Sequence, residues 1–170
     1  MFKNILYKTN YESPLGNIIV TCDDNSLIGL RFDKYCTLSS VKENSDLEIF
    51  KLTKNWLDKY FAGENPRISE LPVALQGSDF TLHVWRIICK IPYGNVMTYG
   101  DIAKIIAKEK GKEKISPQAV GRAAGHNPIL IVIPCHRVIG SNGELKGYSG
   151  GIDLKIKLLN HEGAGINKRG

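Results

Sequence analysis

One cysteine in this sequence stands among residues that could make it reactive. Cys135 lies in the run Ile133-Pro134-Cys135-His136-Arg137-Val138. A free thiol has a pKa of about 8.5, so only a few per cent is thiolate near neutral pH. An adjacent His136 and Arg137 could raise that fraction. A histidine that moves protons needs its second ring nitrogen held, and a carboxylate is the usual means. His161-Glu162-Gly163 offers Glu162 for this. Two other readings stay open on these residues alone. A cysteine beside an apolar run can be an inert core thiol. A Cys135–His136 hydrolase is the other, although neighbouring strand residues point to opposite faces.

The elements that would position this group follow from caps and periodicity. Ile129–Ile133 is apolar throughout, reads as a buried strand and is ended by Pro134, which places Cys135 at a strand end, where a side chain can face a cleft. The glycine-rich Gly147-Tyr148-Ser149-Gly150-Gly151 precedes a last helix over Ile152–His161, with Gly163 just beyond it. Upstream, Thr81–Lys90 has a helical face of Val84, Ile87 and Ile88 and stops at Pro92-Tyr93-Gly94. Thr98 is a good N-cap for a helix over Tyr99–Lys108, with Asp101 three residues on. Ser116-Pro117 pairs an N-cap with proline at the first helical position, for a short helix closing at Gly125. Two helices joined by a turn over Glu109–Ile115 resemble a helix-turn-helix.

The second of these helices carries Ala119, Gly121, Ala123 and Ala124, which leave one face nearly bare. Readers of base edges need long side chains with paired donors or acceptors. A bare face suits close approach to a groove with little sequence preference, or close packing against another helix. Charge favours the former. The chain of 170 residues carries a net +6, yet residues 1–78 hold 9 Lys and Arg against 10 Asp and Glu, and residues 79–170 hold 14 against 7. A basic half beside a neutral half suggests a polyanion, most simply nucleic acid.

The first half reads as a small sheet with one or two helices. Asn17–Cys22 and Ser26–Phe32 flank the turn residues Asp23-Asp24-Asn25 and predict a hairpin. Asp46–Phe61 has helical apolar spacing and ends before Gly63. The polar, proline-containing stretch from Gly63 to Gly77 reads as a surface linker. The expected domains are therefore 1–78, and 79–170 with Cys135, the helix-turn-helix and the basic charge. Cys22, Cys36, Cys89 and Cys135 show no metal-ligand spacing and are expected to be reduced. No apolar run reaches the ~18 residues of a membrane span, and no signal-peptide pattern opens the chain. A cytoplasmic monomer is expected, nucleoid-associated if the source is prokaryotic, with no membrane partner.

In order and spacing, Ile91-Pro92-Tyr93-Gly94, Thr98-Tyr99-Gly100-Asp101-Ile102-Ala103, Asn127-Pro128, Pro134-Cys135-His136-Arg137, Gly147–Gly151 and His161-Glu162-Gly163 resemble the O6-alkylguanine-DNA alkyltransferase family. The likeness spans residues 79–163, and the first half matches loosely. It implies an α/β (α+β) protein: a small ribonuclease-H-like sheet domain, then a mainly helical domain with a helix-turn-helix. It implies single-turnover transfer of an alkyl group from O6-methylguanine, and by extension O4-methylthymine, in double-stranded DNA to Cys135. A non-catalytic alkylated-DNA-binding protein of the same kin is the alternative, against which the presence of Cys135 argues.

By the same resemblance His136 is the base, acting through a water, and Glu162 orients it. Tyr99 and the Ser149 backbone N–H face the guanine, Tyr148 belongs to the loop that closes over the base, and Asn127 ties the helix-turn-helix to the active-site turn. Thr81, Tyr99, Gln118, Ala119, Arg122, Arg137 and Ser141 are candidates for DNA contact. Gln118 stands where the family commonly has an arginine inserted into the base stack, which predicts weaker flipping or affinity. No cofactor and no metal are expected.

Overall fold

A computed structural model describes residues 5–35 and 41–165 of the chain. It resolves into two compact units. One comprises the residues up to Leu75 together with Pro128–Leu130, and the other comprises Gln76–Asn127 and the residues from Ile131 onward.

The first unit is built on a four-stranded sheet. β1 (Tyr7–Ser13), β2 (Gly16–Cys22) and β3 (Leu27–Phe32) form an antiparallel meander, and the two-residue β4 (Lys42–Glu43) runs parallel to β1. The predicted hairpin is β2–β3, closed where Asp23 Oδ1 accepts from the backbone N–H groups of Asn25 and Ser26. Helix α1 (Glu48–Phe61) starts two residues later than expected and buries Ile49, Phe50, Trp56, Leu57 and Tyr60. The 63–77 stretch is more than a surface linker. It contains a short 3-10 turn over Ile68–Glu70, buries Leu71, and bridges Val73 to Leu27 of β3. Apolar residues spaced among prolines gave no periodic signal there.

The expected strand over 129–133 does not form. Leu30 donates to the Pro128 carbonyl and accepts from Leu130, a single bridge within the first unit. The chain then turns through Ile131, whose φ of 70° is the one left-handed value of a non-glycine among the described residues. That conformation is costly for a β-branched residue, of order 1–3 kcal/mol. The run is buried as its composition demands, but an apolar run alone does not distinguish strand from a packed turn.

The second unit holds α2 (Asp79–Ile88), β5 (Met97–Thr98), α3 (Tyr99–Glu109), α4 (Pro117–Gly125), β6 (Val138–Ile139) and α5 (Ile152–His161). Three N-caps set the helix starts. The Ser78, Thr98 and Ser116 side chains accept from the N–H groups of Thr81, Asp101 and Ala119. Helix α2 therefore begins two residues before the predicted Thr81, since the Ser78-Asp79 signal governs. Inside this unit Trp85 Nε1 donates to the Ala123 carbonyl at 2.8 Å, fastening α2 to α4. Cys22, Cys89 and Cys135 carry free thiols, and Cys36 lies outside the described residues. No helix among the described residues is long and apolar enough to cross a membrane.

Candidate active site and nucleic-acid face

Two strands of two residues each bring the chemistry together. Met97 pairs with Val138 and Thr98 with Ile139, in parallel. Tyr99 follows directly on the first strand. Cys135–Arg137, a single 3-10 turn rather than a strand end, directly precedes the second. In a strand, Cys135 and His136 would point apart; in a 3-10 turn, successive side chains are about 120° apart and both can meet partners in one buried region.

Glu162 is the hub of that region. Its Oε1 lies 2.6 Å from His136 Nε2 and 3.0 Å from Arg137 Nη2, while Oε2 accepts from Arg137 Nε at 2.8 Å and from the Gly94 N–H at 3.2 Å. Arg137 Nη1 donates onward to the Ile91 carbonyl at 2.7 Å. Gly94 is required here: its φ is +76°, and a Cβ would lie 2.8 Å from the Glu162 carbonyl oxygen. Burial by itself would raise the Glu162 carboxyl, but the hydrogen bonds and charges of His136 and Arg137 hold it well below the usual carboxylate range. Burial lowers the His136 pKa despite its bond to Glu162, so the imidazole is neutral at pH 7. With Glu162 ionised, Nε2 carries the proton and Nδ1 keeps its lone pair. That Nδ1 is buried without a hydrogen-bond partner among the described residues.

Asn127 holds the other side of the cysteine. Its Nδ2 lies 2.8 Å from the Ile133 carbonyl and 2.9 Å from Cys135 Sγ. Cys135 is only 4% exposed. Tyr148 packs edge-on to His136, with ring centroids 6.4 Å apart. Its hydroxyl and the Ser149 Oγ are buried, with no hydrogen-bond partner among the described residues.

A residue that sequence reasoning passed over completes the group. Lys155 of α5 is fully buried, and its Nζ donates to the carbonyls of Val138 (2.5 Å) and Lys146 (2.9 Å). Burial pulls its pKa down to about 8, and Cys135 is close enough to oppose that shift. Tyr99 Oη donates to the same Lys146 carbonyl at 2.9 Å. Burial, then the proximity of Cys135, push the Tyr99 phenol up to about 12, so it stays a neutral donor. The spacing could have revealed Lys155: Leu158 and Leu159 lie three and four residues on, so it shares their buried face.

A cleft of about 550 Å³ adjoins this group in the same unit. Tyr99, Gln118, Gly121, Arg122, Ser141, Lys146 and Gly147 are among its walls. Gly121 is what lets α4 come near Tyr99, since a Cβ there would already touch the ring at 3.8 Å. Of the residues expected to contact DNA, Tyr99, Gln118, Arg122 and Ser141 meet at this cleft. Ala119 is half-buried on α4, and Thr81 sits in the first turn of α2, bonded to Ser78. Arg137 turns inward: its guanidinium is spent on Glu162 and Ile91, which corrects its expected place on the DNA face. Cys135, Tyr148 and Ser149 are not wall residues, whereas Tyr99 and Gly147 are. Cys135, which a strand end would let face a cleft, sits instead on the 3-10 turn, buried and outside the walls of this cleft.

A helix-turn-helix beside a buried Cys–His–Glu–Arg group defines a nucleic-acid-associated protein with a candidate cysteine acceptor. Comparison with known proteins makes this specific. Residues 79–164 match the model of the 6-O-methylguanine DNA methyltransferase DNA-binding domain, and residues 6–75 match that of its ribonuclease-like domain. The chain belongs to the O6-methylguanine-DNA methyltransferase family. It is 39% identical over 161 residues to a methylated-DNA–protein-cysteine methyltransferase of Methanosarcina acetivorans, covering 94% of this chain and 99% of that one. A protein of the same name from Metallosphaera sedula is 40% identical, with 91% of each chain covered. Among solved structures, Mycobacterium tuberculosis O6-methylguanine methyltransferase superposes with a TM-score of 0.81 at 34% identity, covering 96% of each chain. Its structure in complex with DNA gives 0.79 at 36% identity over 92% of each. The mixed α/β fold with a small sheet and a helical part is the one expected.

Proposed function

We infer that the protein repairs DNA by moving an alkyl group from alkylated guanine in duplex DNA directly onto Cys135. The observation that carries this is the pairing of two things in one unit. Cys135 lies against Asn127 and close to Lys155, beside a neutral His136 tied to Glu162, and a cleft walled by the bare helix α4 includes Tyr99 among its walls.

Each residue then has a task that its chemistry supports. His136, oriented by Glu162, accepts the thiol proton at Nδ1 through a water. The Cys135 thiolate attacks the methyl carbon in line; the S–C bond forms as the C–O6 bond breaks, and the electron pair goes to the guanine oxygen and ring. The buried Lys155 ammonium favours the thiolate by charge. Tyr99 gives a hydrogen bond or proton to the base as its charge grows, and the Ser149 N–H faces O6. The target carbon lies inside the helix stack, so the nucleotide must be extruded, at a cost of a few kcal/mol that is least for a badly paired base. The base enters past Tyr99 and Gly147, exchanging the Tyr99–Lys146 bond for contacts with the purine. Gln118, Arg122 and Ser141 hold the duplex from the cleft rim, with little sequence preference because α4 offers few long side chains.

The product is a thioether without a good leaving group, so the reaction stops after one event. Mixing the protein with excess O6-methylguanine duplex should transfer one methyl group per molecule and then cease. Repeated turnover, or binding of the lesion with no transfer, would refute the reading.

A further inference from the structure

The turn between the two helices of the helix-turn-helix is longer and more basic than that motif needs. Such turns have about three or four residues; here Lys110–Ser116 separates α3 from α4. Residues 108–114 alternate four lysines with Glu109, Gly111 and Glu113. The segment is ordered by its own backbone. Gly111, at φ +59°, lets Lys112 N–H return to the Ala107 carbonyl (2.9 Å) and Gly111 N–H to that of Lys108 (3.3 Å). This paired closure fixes where the chain leaves α3.

The acidic neighbours are mostly spoken for. Glu109 lies 2.5 Å from His83, and Asp101 accepts from the Thr98 hydroxyl while pairing with Lys104 at 3.8 Å. Lys110 sits over the Phe80 ring at 5.8 Å. Lys108, Lys112 and Lys114 are exposed and have no carboxylate partner among the described residues. All three line a second cleft of about 470 Å³, together with Lys104 and Glu113. Gly100 and Pro117 belong to the walls of both clefts, so this lysine-lined groove continues from the one beside Tyr99. Lysines in the last turn of a helix complement its dipole, which accounts for Lys108 but not for Lys112 and Lys114, beyond the helix end.

We propose that Lys108, Lys112 and Lys114 form a second DNA contact, holding backbone phosphates that flank the lesion while α4 engages the duplex at the cleft. This rests on the reading that α4 faces DNA. The contact lengthens the footprint without reading sequence, and it supplies charge that Gln118 does not. Lysines fixed on an ordered turn lose less freedom on binding than those on a floppy loop.

The test compares wild type with the triple variant Lys108→Gln, Lys112→Gln, Lys114→Gln on an undamaged duplex across a salt series. Each lost phosphate contact lowers the slope of log K against log salt by about 0.9, so three should lower it by about 2.7. Over a fourfold rise in salt, the wild type should then lose about 40-fold more affinity than the variant. The corresponding Lys→Arg triple variant should keep the wild-type slope. Equal slopes for wild type and the Gln variant would overturn the proposal, as would a uniform loss of affinity with the slope unchanged. Transfer from a free O6-alkylguanine base, which needs no phosphate contact, should proceed equally in wild type and variant. If no protein form reacts with that base while the slopes still differ, the transfer reading fails and the phosphate contact stands.

Discussion

Replacing Glu162 by glutamine changes one oxygen into an NH2 group and is expected to damage both stability and chemistry. The carboxylate accepts from Arg137 twice, from His136 and from the Gly94 N–H, all in the interior. Glutamine offers a single acceptor oxygen and aims a donor at groups that are themselves donors. Removing one partner of a buried charge pair costs about 3–5 kcal/mol. For a chain of this size that lowers Tm by roughly 6–20 °C. The chemical loss is separate: without an anionic acceptor on Nε2, His136 no longer holds its proton on the far side from the thiol. General-base assistance is worth about 10²–10⁴ in rate, so single-turnover transfer should slow by at least ~10².

The pH dependence carries the sign. The Glu162 carboxyl is lowered in the folded state, so its stabilisation is fully present above its unfolded value near 4.5 and is lost as pH falls through the folded one. The Tm gap between wild type and variant should therefore narrow in acid. The assays are thermal melts from neutral pH down through the carboxylate range, and quenched single-turnover transfer at a temperature where both proteins are folded. A variant within about 2 °C of wild type, transferring within about twofold of its rate, would remove Glu162 from the centre of the account.

Other substitutions test the remaining parts. Tyr99→Phe should leave the melt within about 1 kcal/mol of wild type, since only the bond to the Lys146 carbonyl is lost, yet slow transfer by roughly 10-fold or more. Gly94→Ala, forced into φ +76° with its Cβ 2.8 Å from the Glu162 carbonyl, should cost about 1–3 kcal/mol in a denaturant melt without touching the thiol. Asn127→Ala should cost about 0.5–1.5 kcal/mol, since the Ile133 carbonyl keeps the Cys135 N–H as a donor, and slow transfer through the freed Cys135 sulfur. Gln118→Arg should raise duplex affinity and repair rate; unchanged values in a binding titration and a single-turnover assay would show that the missing arginine is not limiting.

What could be read before folding was what is encoded locally. The Thr98 and Ser116 caps, the Gly163 stop and the Asp23–Asn25 turn each satisfy backbone groups a few residues away, so their signals survive in the sequence. Pairings across long separations do not. Nothing near Arg137 says that its guanidinium will meet Glu162 and the Ile91 carbonyl rather than solvent or phosphate. The 129–133 run was apolar for the reason expected, burial, but its conformation is set by Leu30 of β3 and a left-handed Ile131, both invisible to periodicity. The two-residue strands beside Tyr99 and Cys135 are too short to leave a pattern, although they bring the site together. Lys155 shows the opposite failure: its spacing from Leu158 and Leu159 was legible, and a lysine is normally assumed to face water.

The most direct test of the account is to locate the transferred group. Wild type and Cys135→Ala are each incubated with a duplex carrying isotopically labelled O6-methylguanine, digested, and mapped by mass spectrometry. The account predicts one labelled methyl on the peptide containing Cys135 in the wild type, and none anywhere in the variant, which still binds the duplex. Label on the Cys22, Cys36 or Cys89 peptide, or undiminished demethylation by the variant, would contradict it.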